Sequence, residues 1–149
     1  MEIEKEVPKN YFRNDRHKGL VNIIFSSNWI MLQMKQILEE DDLTPQQYNI
    51  LRILQSHHKP LSTLKIRELM LDKMSDTSRI VERLIKKELV NKQSCSSDKR
   101  LVDITITDKG LALLQHLEKK YEVIDGIINN LSAVELNSLN MLLDTMRKR

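Results

Sequence analysis

The sequence holds 149 residues, 40% of them hydrophobic, with a formal net charge of +3, which suits one compact domain or one subunit of an assembly. Three scattered glycines, Gly19, Gly110 and Gly126, exclude a glycine-rich phosphate loop, and a lone cysteine excludes an internal disulfide. With neither a signal peptide nor an apolar run long enough to span a bilayer, the expected compartment is the reducing cytoplasm, with no membrane partner.

Residues 1–14 are mostly charged and polar, with Tyr11 and Phe12 as their only large apolar pair, and read as an extended arm. Asn14 or Asp15 then caps a long helix running to about Glu40. Its apolar residues form two sets: a wide stripe including Leu20, Ile23, Ile24 and Met31, and a second row of Phe25, Trp29 and Leu32 on the far side. A helix apolar on two sides must be covered on both. The next helix opens with Thr44 as N-cap, Pro45 at its first position and Gln47 closing a capping box. Tyr48, Ile50, Leu51, Ile53 and Leu54 make it a core helix, ended by His57, His58, Lys59 and Pro60. Ser62 caps a shorter helix, with Leu64, Ile66, Leu69 and Met70 expected inside and Thr63 and Lys65 available at its outer end. A turn over residues 71–74 leads into a further helix, which makes a helix-turn-helix.

That second helix can be read face by face. Ser75 is its expected N-cap, and Thr77, Ile80, Val81 and Leu84 fall on one side at 3.6 periodicity. Ser75, Arg79, Glu82, Arg83 and Lys86 fall on the other, flanked by Asp76 and Ser78. Arginine and short polar side chains are what a helix needs to reach base edges and phosphates in a major groove. Taken alone, the same pattern also fits an ordinary solvated surface helix. The helix leads into a basic hairpin: a short strand, a polar tip with Asp98, Lys99 and Arg100, and a returning strand that turns Val102, Ile104 and Ile106 inward and Asp103 and Thr105 outward.

In this hairpin the chain resembles the MarR family of bacterial transcriptional regulators, whose wing is marked by D-x-R followed after five residues by Leu-Thr. Here the motif reads Asp98, Lys99, Arg100, then Ile106 and Thr107, with Ile in the Leu position. The order of elements on both sides matches as well. The resemblance implies that Arg100 enters the minor groove and that Asp98 braces it, a role an ion pair fills by fixing a mobile guanidinium. One departure is Glu88, which stands where the family usually has a left-handed glycine cap. A non-glycine residue there costs roughly 1 kcal/mol if the backbone keeps that conformation.

After the wing, Thr107 caps another expected long helix in which Leu114, Leu117, Tyr121, Ile124, Ile128 and Leu131 alternate steps of three and four, a seam suited to helix packing. Ser132 and Glu135 form a second capping box and start a last helix with Leu136, Leu139, Leu143 and Met146 on one face. The resemblance implies that the first and last two helices of each subunit interlock into a homodimer. It also implies a small aromatic acid as effector, in a crevice between the dimer helices and the DNA-binding module. Phe25, Trp29 and Tyr48 are candidates to line it, although core packing is the more ordinary duty of each, since large aromatics are common interior residues.

Charge is unevenly placed. Between Thr44 and Thr107 twelve Lys or Arg stand against seven Asp or Glu, a net of +5, and the remainder carries −2. A basic middle with acidic flanks is what phosphate attraction confined to one module produces. Cys95 has no adjacent Lys or Arg to activate it and lies in the wing, whereas the family's peroxide sensors place their reactive cysteine near the amino terminus, so it reads as inert. His17, His57, His58 and His116 lack a carboxylate or cysteine at ligand spacing, so no metal is expected. No Ser, His and Asp constellation is recognisable, and neither an enzyme nor a cofactor is expected.

The sequence therefore predicts an α+β, mainly α, fold: a winged helix-turn-helix with long N- and C-terminal dimerisation helices. Residues 1–43 form the arm and first dimerisation helix, 44–107 the DNA-binding module and 108–149 the C-terminal dimerisation helices. The expected function is sequence-specific binding of a pseudo-palindromic operator as a homodimer, in a ligand-responsive repressor. The predicted DNA contacts are Thr63, Lys65, Ser75, Asp76, Ser78, Arg79, Arg83, Lys86, Asp98, Lys99 and Arg100. The rivals are a winged-helix module that binds protein, which would need an apolar outer face on the second helix, and a sequence-independent DNA-coating protein.

Overall fold

The computed structural model describes residues 2–8, 10–94 and 102–148. In chain order the elements are α1 (Ile3–Glu6), α2 (Asp15–Glu39), α3 (Pro45–His57), β1 (Leu61–Ser62), α4 (Thr63–Leu69), α5 (Thr77–Lys86), β2 (Val90–Ser94), β3 (Val102–Ile106), α6 (Asp108–Leu117), α7 (Tyr121–Asp125) and α8 (Ala133–Arg147). Single 3-10 turns join α6 to α7 and extend α7. Helix dominates, with one small sheet in the order β1-β3-β2, antiparallel throughout.

Most helix starts are where local chemistry puts them. The Asn14 side chain accepts from the His17 amide, Thr44 and Gln47 close a capping box, Ser62 accepts from Lys65, Thr107 from Gly110, and Ser132 and Glu135 close the second box. The arm is an exception to expectation. It contains the one-turn α1, whose Ile3 is buried, and the Lys18 ammonium bonds the Glu4 carboxylate.

The core lies inside the helix-turn-helix and sheet, where Ile50, Leu51, Leu54, Ile66, Leu84 and Ile104 are buried together. Leu38 from the end of α2, with Leu114 and Leu117 from α6, belongs to the same cluster. Leu117, read from the sequence as part of a helix-packing seam, is thus wholly inside the subunit. Leu64 also departs from expectation, at 67% exposed. It stands two residues before the buried Ile66, which places it on the opposite face of so short a helix.

The expected long helix after the wing is broken into α6, a 3-10 turn over Glu118–Lys120 and α7. At this turn the Lys120 ammonium reaches back to the end of α2. It bonds Asp41 at 2.7 Å, Glu40 at 2.8 Å and the Ile37 carbonyl at 3.2 Å, and His116 lies 3.4 Å from Asp41. These partners raise the Lys120 pKa above the usual lysine value, the Asp41 hydrogen bond most and the Glu40 bond next. Gly126, a weak helix former, begins the second 3-10 turn.

Candidate nucleic-acid interface

The interface is built around α5. Thr77, Val81 and Leu84 are buried and Ile80 is packed against the core, while Ser78, Arg79, Glu82, Arg83 and Lys86 are exposed. Full burial of a leucine such as Leu84 is worth about 1.5–3 kcal/mol, so the apolar face fixes the rotation of the helix and leaves the polar face outward. Ser75 is not the N-cap. Asp76 takes that place, its carboxylate accepting from the Arg79 amide at 3.2 Å and lying 3.2 Å from the Arg79 guanidinium. A carboxylate complements the positive end of the helix dipole better than a hydroxyl does. Ser75 instead donates its hydroxyl to Asp72, and that bond first, with the Met74 amide second, holds Asp72 below the usual carboxylate range.

The far end of α5 keeps the left-handed cap without glycine. Glu88 has φ 59°, the Glu88 amide bonds the Ile85 carbonyl at 2.8 Å, and the Leu89 amide bonds that of Leu84 at 3.0 Å. These two bonds are the Schellman pair that stops a helix. The strain is held by its neighbours: Thr107 donates its hydroxyl to the Glu88 carbonyl at 2.8 Å and its amide to the Leu89 carbonyl at 3.1 Å. Lys109 pairs with the Glu88 carboxylate at 2.8 Å and is the first cause of its lowered pKa. A Cβ on Gly110 would come 2.3 Å from the Leu89 carbonyl oxygen, so only glycine lets α6 start this close to the cap.

The remaining predicted residues divide into three groups. Thr63, half-buried, and Lys65, exposed and paired with Glu68 at 2.9 Å, sit at the start of α4. Asp98, Lys99, Arg100 and also Cys95 lie outside the described residues. The strands that carry the tip pair over their whole length, from Val90 opposite Ile106 to Ser94 opposite Val102. Ile104 is buried and pairs with Leu61 on the other side. Phe25 and Tyr48 are half-buried and Trp29 is 37% exposed. Among the described residues the aromatic ring contacts join Tyr11, Phe12 and His17 in the arm, not these three.

Sequence reasoning missed the polar neighbours of Tyr48. Arg52 donates to the Tyr121 hydroxyl at 2.7 Å and lies 5.5 Å over its ring, and burial, then Tyr121, pushes the Tyr48 phenol up. No local pattern links residues so far apart in the chain. Also missed was β1, whose two residues are too few to show a period.

A helix-turn-helix followed by an antiparallel hairpin, with a polar and basic helix turned outward, defines a winged helix-turn-helix protein. The sequence profile of the MarR family matches residues 43–102. The chain is 30% identical over 115 residues to the HTH-type transcriptional regulator YhbI of Bacillus subtilis, covering 75% of this chain and 73% of that protein. It superposes on a MarR transcription factor from Planctomyces limnophilus with TM-score 0.68 and 28% identity, over 90% of this chain and 98% of the other. A mutant MarR from E. coli complexed with operator DNA matches with TM-score 0.76 and 21% identity, over 87% and 94% of the two chains. The chain belongs to the MarR family, whose members are transcriptional regulators.

Proposed function

We propose that this regulator is a ligand-responsive repressor that binds a pseudo-palindromic operator sequence-specifically as a homodimer. The two-sidedness of α5 carries the reading: one face is sealed in the core and the other presents Ser78, Arg79, Arg83 and Lys86 to solvent. An outward face of that chemistry suits a major groove and offers nothing apolar for a protein partner. Asp76 holds Arg79, while Thr63 and Lys65 at the start of α4 and Ser75 in the turn before α5 suit phosphates of the flanking backbone. By the resemblance, Arg100 reads the minor groove, Asp98 braces it and Lys99 meets phosphate. A mutant MarR of E. coli with the same fold has been crystallised with operator DNA, which supports DNA as the partner.

Residues 44–107 make up the reading module, and the flanking segments, 1–43 and 108–149, supply dimerisation. Support comes from apolar side chains left exposed on the two helices at the ends of the chain: Leu20, Ile24 and Leu32 on α2, and Leu139, Leu142 and Met146 on α8. Apolar rows on that scale need a cover. The effector is a small aromatic acid, taken up beside Phe25, Trp29 and Tyr48. The protein works in the cytoplasm with no catalytic step; among the described residues no helix is long and apolar enough to cross a membrane. Selection of bound fragments from the source genome, followed by competition of the best duplex against bulk DNA, tests the reading. A recovered palindrome that outcompetes bulk DNA is expected; binding indifferent to sequence would favour the DNA-coating alternative, and no binding the protein-interaction one.

A further inference from the structure

Between the two helices of the helix-turn-helix, residues 71–76 run outside the core. The core closes only the base of this turn: Met70 and Thr77 are buried, and the Thr77 hydroxyl donates to the Met70 sulfur at 3.3 Å. Apolar packing does not hold the outer part, since Leu71 is 87% exposed and Met74 93%. Its conformation has to come from polar bonds. We infer that Asp72 and Asn49 are positioning residues for DNA recognition, which fasten this turn to α3 and so set the start of α5 before DNA arrives, an assignment that rests on the DNA-binding reading above.

Asp72 is the hub of the turn. Its carboxylate accepts from the Met74 amide at 3.0 Å and from the Ser75 hydroxyl. The Ser75 hydroxyl first and the Met74 amide second hold the carboxylate below its usual pKa, with smaller contributions from the Ser75 amide and the Gln46 side chain. Asn49 supplies a second fastening, its side-chain oxygen accepting from the Leu71 amide at 3.0 Å. Gln46 and Asn49 stand three residues apart on α3, so they share a face of that helix. That helix is firm ground, because Ile50, Leu51 and Leu54 anchor it in the core. On the side of α4, the Lys73 ammonium bonds the Glu68 carbonyl.

The turn ends at Asp76, which caps α5 and pairs with Arg79, so a shift of the turn carries the cap and the guanidinium with it. Contact with a base edge needs atoms placed within about 0.5 Å, whereas attraction to the phosphate backbone tolerates much looser placement. A loosened turn therefore loses preference for the operator and keeps general affinity for DNA. The charge of Asp72 makes this role separable from electrostatics. Asp72 is an exposed carboxylate close to the start of α5, and phosphate repels it. By charge alone its removal tightens binding to every duplex; by positioning its removal weakens binding to the operator.

The test uses the full chain, with the duplex selected from the source genome and an unrelated duplex of the same length, at one ionic strength. Asp72→Ala and Asn49→Ala should each weaken binding to the selected duplex roughly five- to tenfold. Binding to the unrelated duplex should be unchanged or, for Asp72→Ala, tighter. Asp72→Asn loses the same charge but keeps an oxygen for the Met74 amide and gains a nitrogen that can donate to the Ser75 hydroxyl, so it should recover most of the loss. Amide hydrogen exchange without DNA should quicken at Met74 and Ser75 in Asp72→Ala and at Leu71 in Asn49→Ala, while protection in α3 and β3 stays at the wild-type level and shows both variants folded. Alanine variants that keep the wild-type preference, or that lose both duplexes alike, would overturn the inference and leave the DNA-binding reading standing. Asp72→Ala and Asp72→Asn that both tighten the two duplexes equally would reduce Asp72 to its charge and overturn it too. A wild type with no preference between the duplexes would overturn the DNA-binding reading, and the inference with it.

Discussion

On the proposed reading, base readout depends most on Arg79, because Asp76 both caps α5 and holds the guanidinium at its exposed first turn. Arg79→Ala should cost on the order of 1–3 kcal/mol and relax preference at one base pair per half-site, whereas Lys99→Ala should weaken all sequences alike and lower the salt slope. Binding of each variant to the operator and to singly substituted duplexes across a salt series separates the two; unchanged preference in Arg79→Ala would mean that α5 is oriented differently on DNA. In the wing, whose tip lies outside the described residues, Arg100→Ala should lose operator affinity with the fold intact. Asp98→Ala should lose less, about 0.5–1.5 kcal/mol, the cost of ordering an unbraced side chain. With Arg100 gone Asp98 has nothing to hold, so the double variant should bind no worse than Arg100→Ala alone. Additive losses in this cycle would withdraw the bracing role.

At the scale of elements, the cap of α5 and the packing of α3 each carry a measurable cost. Glu88 keeps φ 59° because two amides and Thr107 hold the turn around it. Glu88→Gly should therefore raise Tm, by about 2 °C, since the lost pair with Lys109 is solvent-exposed and such pairs contribute little. A fall in Tm on thermal scans would show that the ion pair outweighs the strain. Tyr48 behaves oppositely with pH. Its phenol is pushed up by burial, so the neutral form is favoured in the folded state. The stability this contributes is complete below the unfolded tyrosine pKa of about 10 and is lost as pH rises through the higher folded value. Thermal unfolding between roughly pH 9 and pH 11 should show a smaller alkaline loss in Tyr48→Phe than in wild type; equal losses would locate the alkaline sensitivity elsewhere.

For the whole molecule, the separation of core from uncovered surface decides how assembly can be tested. Leu117 is sealed in the subunit, so a charge there unfolds the chain and reports nothing on dimerisation. Leu139, 38% exposed on α8, is the better probe. Leu139→Glu should give a folded chain of half the wild-type mass by sedimentation and a weak operator binder. The reason is geometric: paired recognition helices must sit roughly 34 Å apart to enter one face of the duplex a turn apart, and only a fixed dimer holds that spacing. A stable monomer with undiminished operator affinity would remove the dimer from the mechanism. Lys120 and His116 on Asp41 tie the end of α6 and the turn after it to the end of α2, and both segments meet the reading module through Leu38, Leu114 and Leu117 in the shared core.

The sequence by itself determined whatever a few neighbouring residues decide among themselves. Thr44 with Gln47 and Ser132 with Glu135 close their boxes within one turn, and the face of α5 follows from the spacing of Thr77, Val81 and Leu84, so the helix-turn-helix and its outward residues were legible from local pattern alone. Even there, a choice between adjacent caps, Ser75 or Asp76, depended on where the serine hydroxyl found its own partner, Asp72. Tertiary structure alone decided the rest. β1 exists because Leu61 and Ser62 meet Ile104 and Asp103, and the C-terminal helix breaks where Lys120 reaches the end of α2. Leu117 is core because α6 packs against the cluster that holds Leu38, and Lys35 lines one cleft with Arg83 and Lys86 only because the fold brings the end of α2 beside α5. In each case the energy comes from pairing across a gap in sequence that no local periodicity records.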